Sequence, residues 1–130
     1  MSHDQIFISY SSIDKDWVKE FAKSLGSKGL TVWLDQDQIR AGDSISEALE
    51  RGLRESSHVL FVLTPETINR PNLLFEMGAA LGMKKAIVPV VPRDLDLSAL
   101  PQPLRSRQYL VRDSPERTAE QFVLETAARL

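Results

Sequence analysis

The chain has 130 residues, 42% of them hydrophobic, enough for one domain with a buried core and too few for two. A formal net charge of −2 gives no general electrostatic footprint for nucleic acid. Cysteine is absent, which excludes a disulfide scaffold, a thiol nucleophile and Cys-ligated zinc, and is compatible with a reducing compartment.

In chain order, Gln5-Ile6-Phe7-Ile8-Ser9-Tyr10 is a short apolar run ending in Ser9-Tyr10-Ser11-Ser12, a strand followed by a polar loop. Asp14 is placed to cap the next helix. The buried face of that helix is Trp17, Val18, Phe21, Ala22 and Leu25, with Gly26 and Gly29 as stop signals. Leu30-Thr31-Val32-Trp33-Leu34 is a second strand, and 35–43 a polar loop. Asp43 or Ser44 then caps a helix with Ile45, Leu49 and Leu53 on one side. His58-Val59-Leu60-Phe61-Val62-Leu63 is continuously apolar after its histidine, as expected of a strand buried on both faces. Ala86-Ile87-Val88-Pro89-Val90-Val91 is a fourth strand, with Pro89 awkward because proline cannot donate to a ladder. Residues 92–107 form a Pro- and Leu-rich loop with room for a short helix, and Gln108-Tyr109-Leu110-Val111 is a weak fifth strand. Ser114-Pro115 opens a last helix with Ala119, Phe122, Val123, Thr126 and Leu130 inside.

Strand and helix alternate five times, the signature of a doubly wound α/β fold with a parallel sheet. The last helix stops at Leu130 on an apolar position with no capping residue. Residues 1–130 are therefore expected to be a single domain from the N-terminal part of a longer protein. No apolar run approaches the roughly 18 residues of a membrane span, and no signal peptide opens the chain. The expectation is a cytoplasmic protein without a membrane partner.

One helix carries the chemistry. Pro71 suits its first position, and Leu73, Leu74, Met77, Ala80 and Leu81 recur at the spacing of a buried stripe. Stepping about 100° per residue puts Glu76 on the flank of that stripe, with Asn72 and Met83. The plain reading of such a glutamate is a solvated flank residue. Position argues otherwise, because ligands of an open parallel sheet bind beyond the strand ends where strand order reverses. In the common order 2-1-3-4-5 that crevice gathers Ser9, Tyr10 and Ser11 after strand one with Asn72 and Glu76 after strand three. The loop after strand two, with Trp33, Asp35 and Asp37, forms a wall. Trp33 reads either as packing or as pocket wall, Asp35 and Asp37 as turn residues or pocket acids. Ser9 and Ser11 satisfy loop backbone or contact substrate, and Tyr10 leaves the core at the crevice. Phe75 points away from the stripe, and Gly78 and Gly82 are placed for close helix–sheet approach.

With only His3 and His58, a histidine metal site or a Ser-His triad has little to work with. A lone carboxylate suffices when the leaving group departs neutral from a cationic starting point, and nicotinamide on NAD is such a group. On the residues alone that chemistry is permitted, not indicated.

Ile6-Phe7-Ile8-Ser9-Tyr10-Ser11, then Val32-Trp33-Leu34-Asp35 with Ile39-Arg40-Ala41-Gly42-Asp43-Ser44, then Asn72-Leu73-Leu74-Phe75-Glu76, together resemble a Toll/interleukin-1 receptor (TIR) domain of the bacterial NAD-cleaving kind. The resemblance runs from Gln5 through the last helix. It implies a flavodoxin-like five-stranded parallel sheet with helices on both faces. It implies NAD+ as substrate, with no separate cofactor or metal, cleaved to nicotinamide and ADP-ribose or a cyclised isomer. The family's catalytic glutamate falls on Glu76 and its substrate loop on Ser9 to Ser12. Its self-association loop falls on Asp35 to Ile45, with Arg40, Ala41, Gly42 and Asp43 at the centre. It further implies other TIR protomers as partners and a role in bacterial immune (anti-phage) signalling, and the uncapped end of the last helix motivates an attached C-terminal sensor domain. Two departures stand out. Asn72 occupies the place where many NAD-cleaving members carry tryptophan, and the loop lacks the proline common in animal adaptors before the loop glycine. The competing reading is a non-catalytic TIR scaffold; a nucleoside-transferring enzyme of related architecture is a third. A phospho-receiver fails, because strand one ends in serines and strand three in Thr64, where acids are needed.

Overall fold

The strands β1 (Gln5–Ser9), β2 (Thr31–Leu34), β3 (His58–Val62), β4 (Ala86–Val91) and β5 (Leu110–Val111) pair in parallel throughout, in the spatial order β2-β1-β3-β4-β5. This is the expected flavodoxin-like sheet. The computed structural model describes residues 5–34, 45–66, 71–100, 102–105 and 108–127, and the side chains of these except at 45–49, 71–75, 102–103 and 127. Its helices are α1 (Lys15–Ser27), α2 (Ile45–Glu55), α3 (Pro71–Gly82), α4 (Gln102–Arg105) and α5 (Pro115–Ala127), with 3-10 turns at Ser12–Asp14 and Leu97–Ala99.

Side chains alternate across each strand, so the sheet divides its residues between two cores. Phe7, Trp33, Val59, Phe61, Ile87 and Val91 face one way, against Leu53 of α2, Met77 and Ala80 of α3, and Leu104 of α4. Ile6, Ile8, Leu34, Leu60, Val62, Val90 and Leu110 face the other, against Val18, Phe21 and Leu25 of α1 and Ala119 and Phe122 of α5. With both faces covered, the central strands lack the polar alternation of a half-exposed sheet. β1 lies between β2 and β3; the chain reverses direction across the sheet there, and the carboxyl end of β1 is where ligands of such sheets bind.

Pro89 sits inside β4, paired with Phe61, and the ladder shows why it is tolerated. The carbonyl of Val90 accepts from the Leu63 amide, and that of Val91 from the Arg112 amide. Alternate residues therefore face β3 and β5, and Pro89 turns its missing donor toward β5, which pairs only with Val90 and Val91.

Two helix ends use the left-handed backbone region. Gly29 follows α1 at φ +90° and Lys84 follows α3 at φ +59°. In both, the next amide reaches back across the last turn, from Leu30 to the Leu25 carbonyl and from Lys85 to that of Ala80. The Lys85 ammonium also donates to the Arg54 carbonyl in the last turn of α2, where a cation complements the helix dipole.

Several local expectations need correction. Asp14 precedes α1 but makes no capping hydrogen bond; its carboxylate is drawn instead to Arg112. Trp17, expected in the core, is only partly buried and packs at its rim, stacked on Phe21 at 4.9 Å. Gly78 and Gly82 are exposed, and a Cβ on either would meet nothing within 4 Å, so neither brings α3 close to the sheet. Ser114 does cap α5, its hydroxyl accepting from the Arg117 amide at 3.2 Å. The expected caps Asp43 and Ser44 lie outside the described residues.

Candidate active site

Ser9 is the last residue of β1, and alternation puts it on the same face as Phe7, toward α3. Glu76 is the sixth residue of α3. Helical side chains tilt toward the helix N-terminus, which turns Glu76 back to the carboxyl edge of the sheet. The two meet: the Ser9 hydroxyl donates to Glu76 Oε1 at 2.6 Å. That separation lies in the roughly 2.5–2.7 Å range of a charge-assisted O–H···O⁻ bond. Glu76 is 2% exposed and Ser9 5%. The glutamate is therefore an enclosed group, and the solvated-flank reading fails. A carboxylate is costly to remove from water unless hydrogen-bonded, and the Ser9 hydroxyl supplies one such bond to Glu76.

The other expected contacts divide. Ser11 is buried, with its hydroxyl making no hydrogen bond among the described residues and its carbonyl accepting from the Asp14 amide at 2.9 Å. Tyr10 is 7% exposed and belongs to the α1/α5 core, away from the face that carries Glu76. Parity with Ile6 and Ile8 takes it there, and the expectation of a ring lining the crevice is corrected accordingly. Trp33 is a core residue as well. It pairs in register with Phe7, stacks on it at 4.9 Å and 11°, and lies against Gly52, where a Cβ would come within 2.6 Å of the indole. Of the two readings of Trp33, packing is the one observed. Asn72 lies one helical turn before Glu76 in α3, with its side chain outside the described set. Asp35, Asp37, Arg40, Ala41, Gly42 and Asp43 lie outside the described residues.

One charged pair went unforeseen. Asp14 and Arg112 join at 2.7 Å although 98 positions separate them. The available signal was one of phase: Arg112 lies two residues after the inward-facing Leu110, and so on the face where α1 begins.

Among the described residues no group of three or more His, Cys, Asp or Glu side chains could hold a metal ion, and no helix is long and apolar enough to cross a membrane. A separate hollow of about 300 Å³ lies along α5, lined by Arg93, Asp113, Arg117, Glu120 and Leu124. Its charges are mixed and it holds neither Ser9 nor Glu76. Among the described residues, this edge of the sheet offers one buried carboxylate aimed by a hydroxyl, a pair suited to stabilising positive charge and holding sugar hydroxyls.

Comparison with known proteins agrees with this architecture. The chain is 31% identical over 90 residues to the 2' cyclic ADP-D-ribose synthase AbTIR of Acinetobacter baumannii, a match covering 65% of this chain and 34% of that protein. It is 32% identical over 90 residues to the NAD(+) hydrolase TcpA of a Theionarchaea archaeon, covering 65% of this chain and 27% of that protein. The chain thus spans about a third or less of these relatives. Its fold matches the crystal structure of the TIR domain of the Toll-related receptor TRR-2 from Hydra magnipapillata. The TM-score there is 0.76 at 19% identity, over 96% of this chain and 98% of that one. The family model described as "TIR domain" matches residues 6–123, a span that reaches from β1 into α5 and takes in both residues of the Ser9–Glu76 pair: the chain belongs to the TIR domain family.

Proposed function

We propose that this domain cleaves the bond between nicotinamide and ribose in NAD+, with Glu76 as the catalytic carboxylate. The observation that carries this reading is the enclosed Glu76, held by the Ser9 hydroxyl at 2.6 Å beside the reversal point of the sheet. The names of AbTIR and TcpA support the choice of substrate.

In this reaction the glycosidic electron pair passes to the pyridinium nitrogen, and nicotinamide leaves neutral without needing a proton. Positive charge develops on the anomeric carbon and ring oxygen of the ribose. A carboxylate facing that centre, shielded from water, stabilises it electrostatically. Its oxygens also accept hydrogen bonds from the ribose hydroxyls and fix the sugar's orientation. Attack by water then gives ADP-ribose and a proton; attack by a hydroxyl of the same molecule gives a cyclic isomer and a proton. Ser9 orients Glu76, while Ser11, Asn72, Asp35 and Asp37 are the remaining proposed substrate contacts.

Activation by self-association through the loop at Arg40 to Asp43, a linked sensor domain, a cytoplasmic setting and a place in bacterial immune signalling belong to the same proposal; the self-association and the immune role rest on the family resemblance. Nicotinamide release from NAD+, followed at rising protein concentration, tests it. Specific activity that climbs with concentration is expected. No release at any concentration, including on a clustering surface, removes the enzymatic reading and leaves a TIR–TIR scaffold.

A further inference from the structure

Asp14 stands where a helix N-cap would, yet it bonds no amide of α1. It is 5% exposed, and its Oδ1 accepts from Arg112 Nη1 at 2.7 Å while Oδ2 has no partner among the described residues. Among the described residues, Arg112 is its only side-chain partner. An exposed cap has thus been exchanged for a largely buried ion pair. Such pairs are weak evidence for stability, and their best-attested use is to fix one geometry among alternatives.

Both ends of the pair are anchored. The Arg112 amide donates to the Val91 carbonyl at 2.7 Å, and its guanidinium lies 4.4 Å over the Trp17 ring. Trp17 Nε1 donates to the Asp113 carbonyl at 3.0 Å, and the Asp113 amide donates to the Thr118 hydroxyl at 3.0 Å. The end of β5 is therefore tied to β4, Trp17 and α5. What it holds is the turn after β1: the Asp14 amide donates to the Ser11 carbonyl, and two residues earlier Ser9 holds Glu76.

We propose that Arg112 is a positioning residue for the candidate active site, acting through Asp14 to hold the Ser9–Asp14 segment in the shape that aims the Ser9 hydroxyl at Glu76. This rests on the NAD-cleaving reading of that site. A misplacement of reacting groups by about 1 Å can cost about 10²-fold in rate, whereas a strut serving only stability leaves the turnover of folded molecules unchanged.

The test is a double-mutant cycle on nicotinamide release by the full chain, using Arg112→Met, Ser9→Ala and the double variant at a temperature where all are folded. Arg112→Met is expected to lower kcat about tenfold with KM changed less than about threefold. In the Ser9→Ala background the same substitution is expected to cost less than about twofold, because the group it positions is gone. Unchanged kcat in Arg112→Met, or the same loss in both backgrounds, overturns the proposal. Where Arg112→Met does not fold, Arg112→Lys keeps a charge for Asp14 but lacks the planar fork; it takes the place of Arg112→Met in the cycle, and the same two results overturn the proposal. Hydrogen exchange separates this from failure of the parent reading. Faster exchange at amides 10–14 in the variant, with β4 unchanged, supports the clamp even if the chain releases no nicotinamide; unchanged exchange there overturns it.

Discussion

The Ser9 hydroxyl lies 2.6 Å from Glu76 Oε1 although 67 positions separate the two residues. Strand parity brings the first and helix tilt the second to one point at the sheet edge. Removing the donor leaves a buried carboxylate short of a hydrogen bond, so Ser9→Ala is expected to destabilise the fold by about 1.5–3 kcal/mol. Urea denaturation measures this, and an unchanged midpoint would mean that the bond contributes nothing.

Gly52 packs its backbone against Trp33, where a Cβ would fall 2.6 Å from the indole. The indole is buried and stacked on Phe7, so moving it away breaks that contact. Gly52→Ala is therefore expected to cost about 1–3 kcal/mol by overpacking, despite the better helix propensity of alanine. A neutral or stabilising result in a denaturation series contradicts the packing described.

The two left-handed helix ends give predictions of opposite sign. Lys84 holds φ +59° with a side chain, and Lys84→Gly is expected to stabilise by about 1 kcal/mol. Gly29 holds φ +90°, and Gly29→Ala is expected to destabilise by about as much. Thermal unfolding of the pair reads both signs in one experiment, and like signs would refute the assignment of these ends.

Asp96 accepts hydrogen bonds from the Ser98 hydroxyl at 2.8 Å and the Ser98 amide at 3.0 Å. Both favour the ionised form and hold its carboxyl below the ordinary aspartate value, the side-chain bond most. A folded-state pKa below the unfolded one stabilises above the unfolded value and is lost as pH falls through the folded one. The site is fully exposed, so the effect is local. An NMR titration is expected to show Asp96 rising toward the ordinary value in Ser98→Ala, and no change would count against the turn geometry.

Much of the fold was legible in the sequence because the physical signals were long ones. Continuous apolar runs marked the strands, the stripe Val18, Phe21 and Leu25 marked the inner face of α1, and parallel topology limited the strand order. Glu76 was legible by position but not by burial, since a helical wheel places it on a flank and its enclosure and its bond to Ser9 depend on tertiary packing. Tyr10 misled as a crevice residue because an aromatic at a strand end looks the same whether it turns in or out, and its parity with Ile6 and Ile8 held the answer. Trp33 was open between two readings, and its stack on Phe7 decides for packing. The Asp14–Arg112 pair was harder to read: strand phase put Arg112 on the face where α1 begins, but nothing near either residue in the sequence named a partner 98 positions away.

The central claim is that Glu76 carries the chemistry. Its most direct test is nicotinamide released from NAD+ by the clustered wild-type chain and by Glu76→Gln, the two matched for fold by circular dichroism. The account predicts release by the wild type and a loss of about 10²- to 10³-fold in the variant. Equal release from both proteins would contradict it.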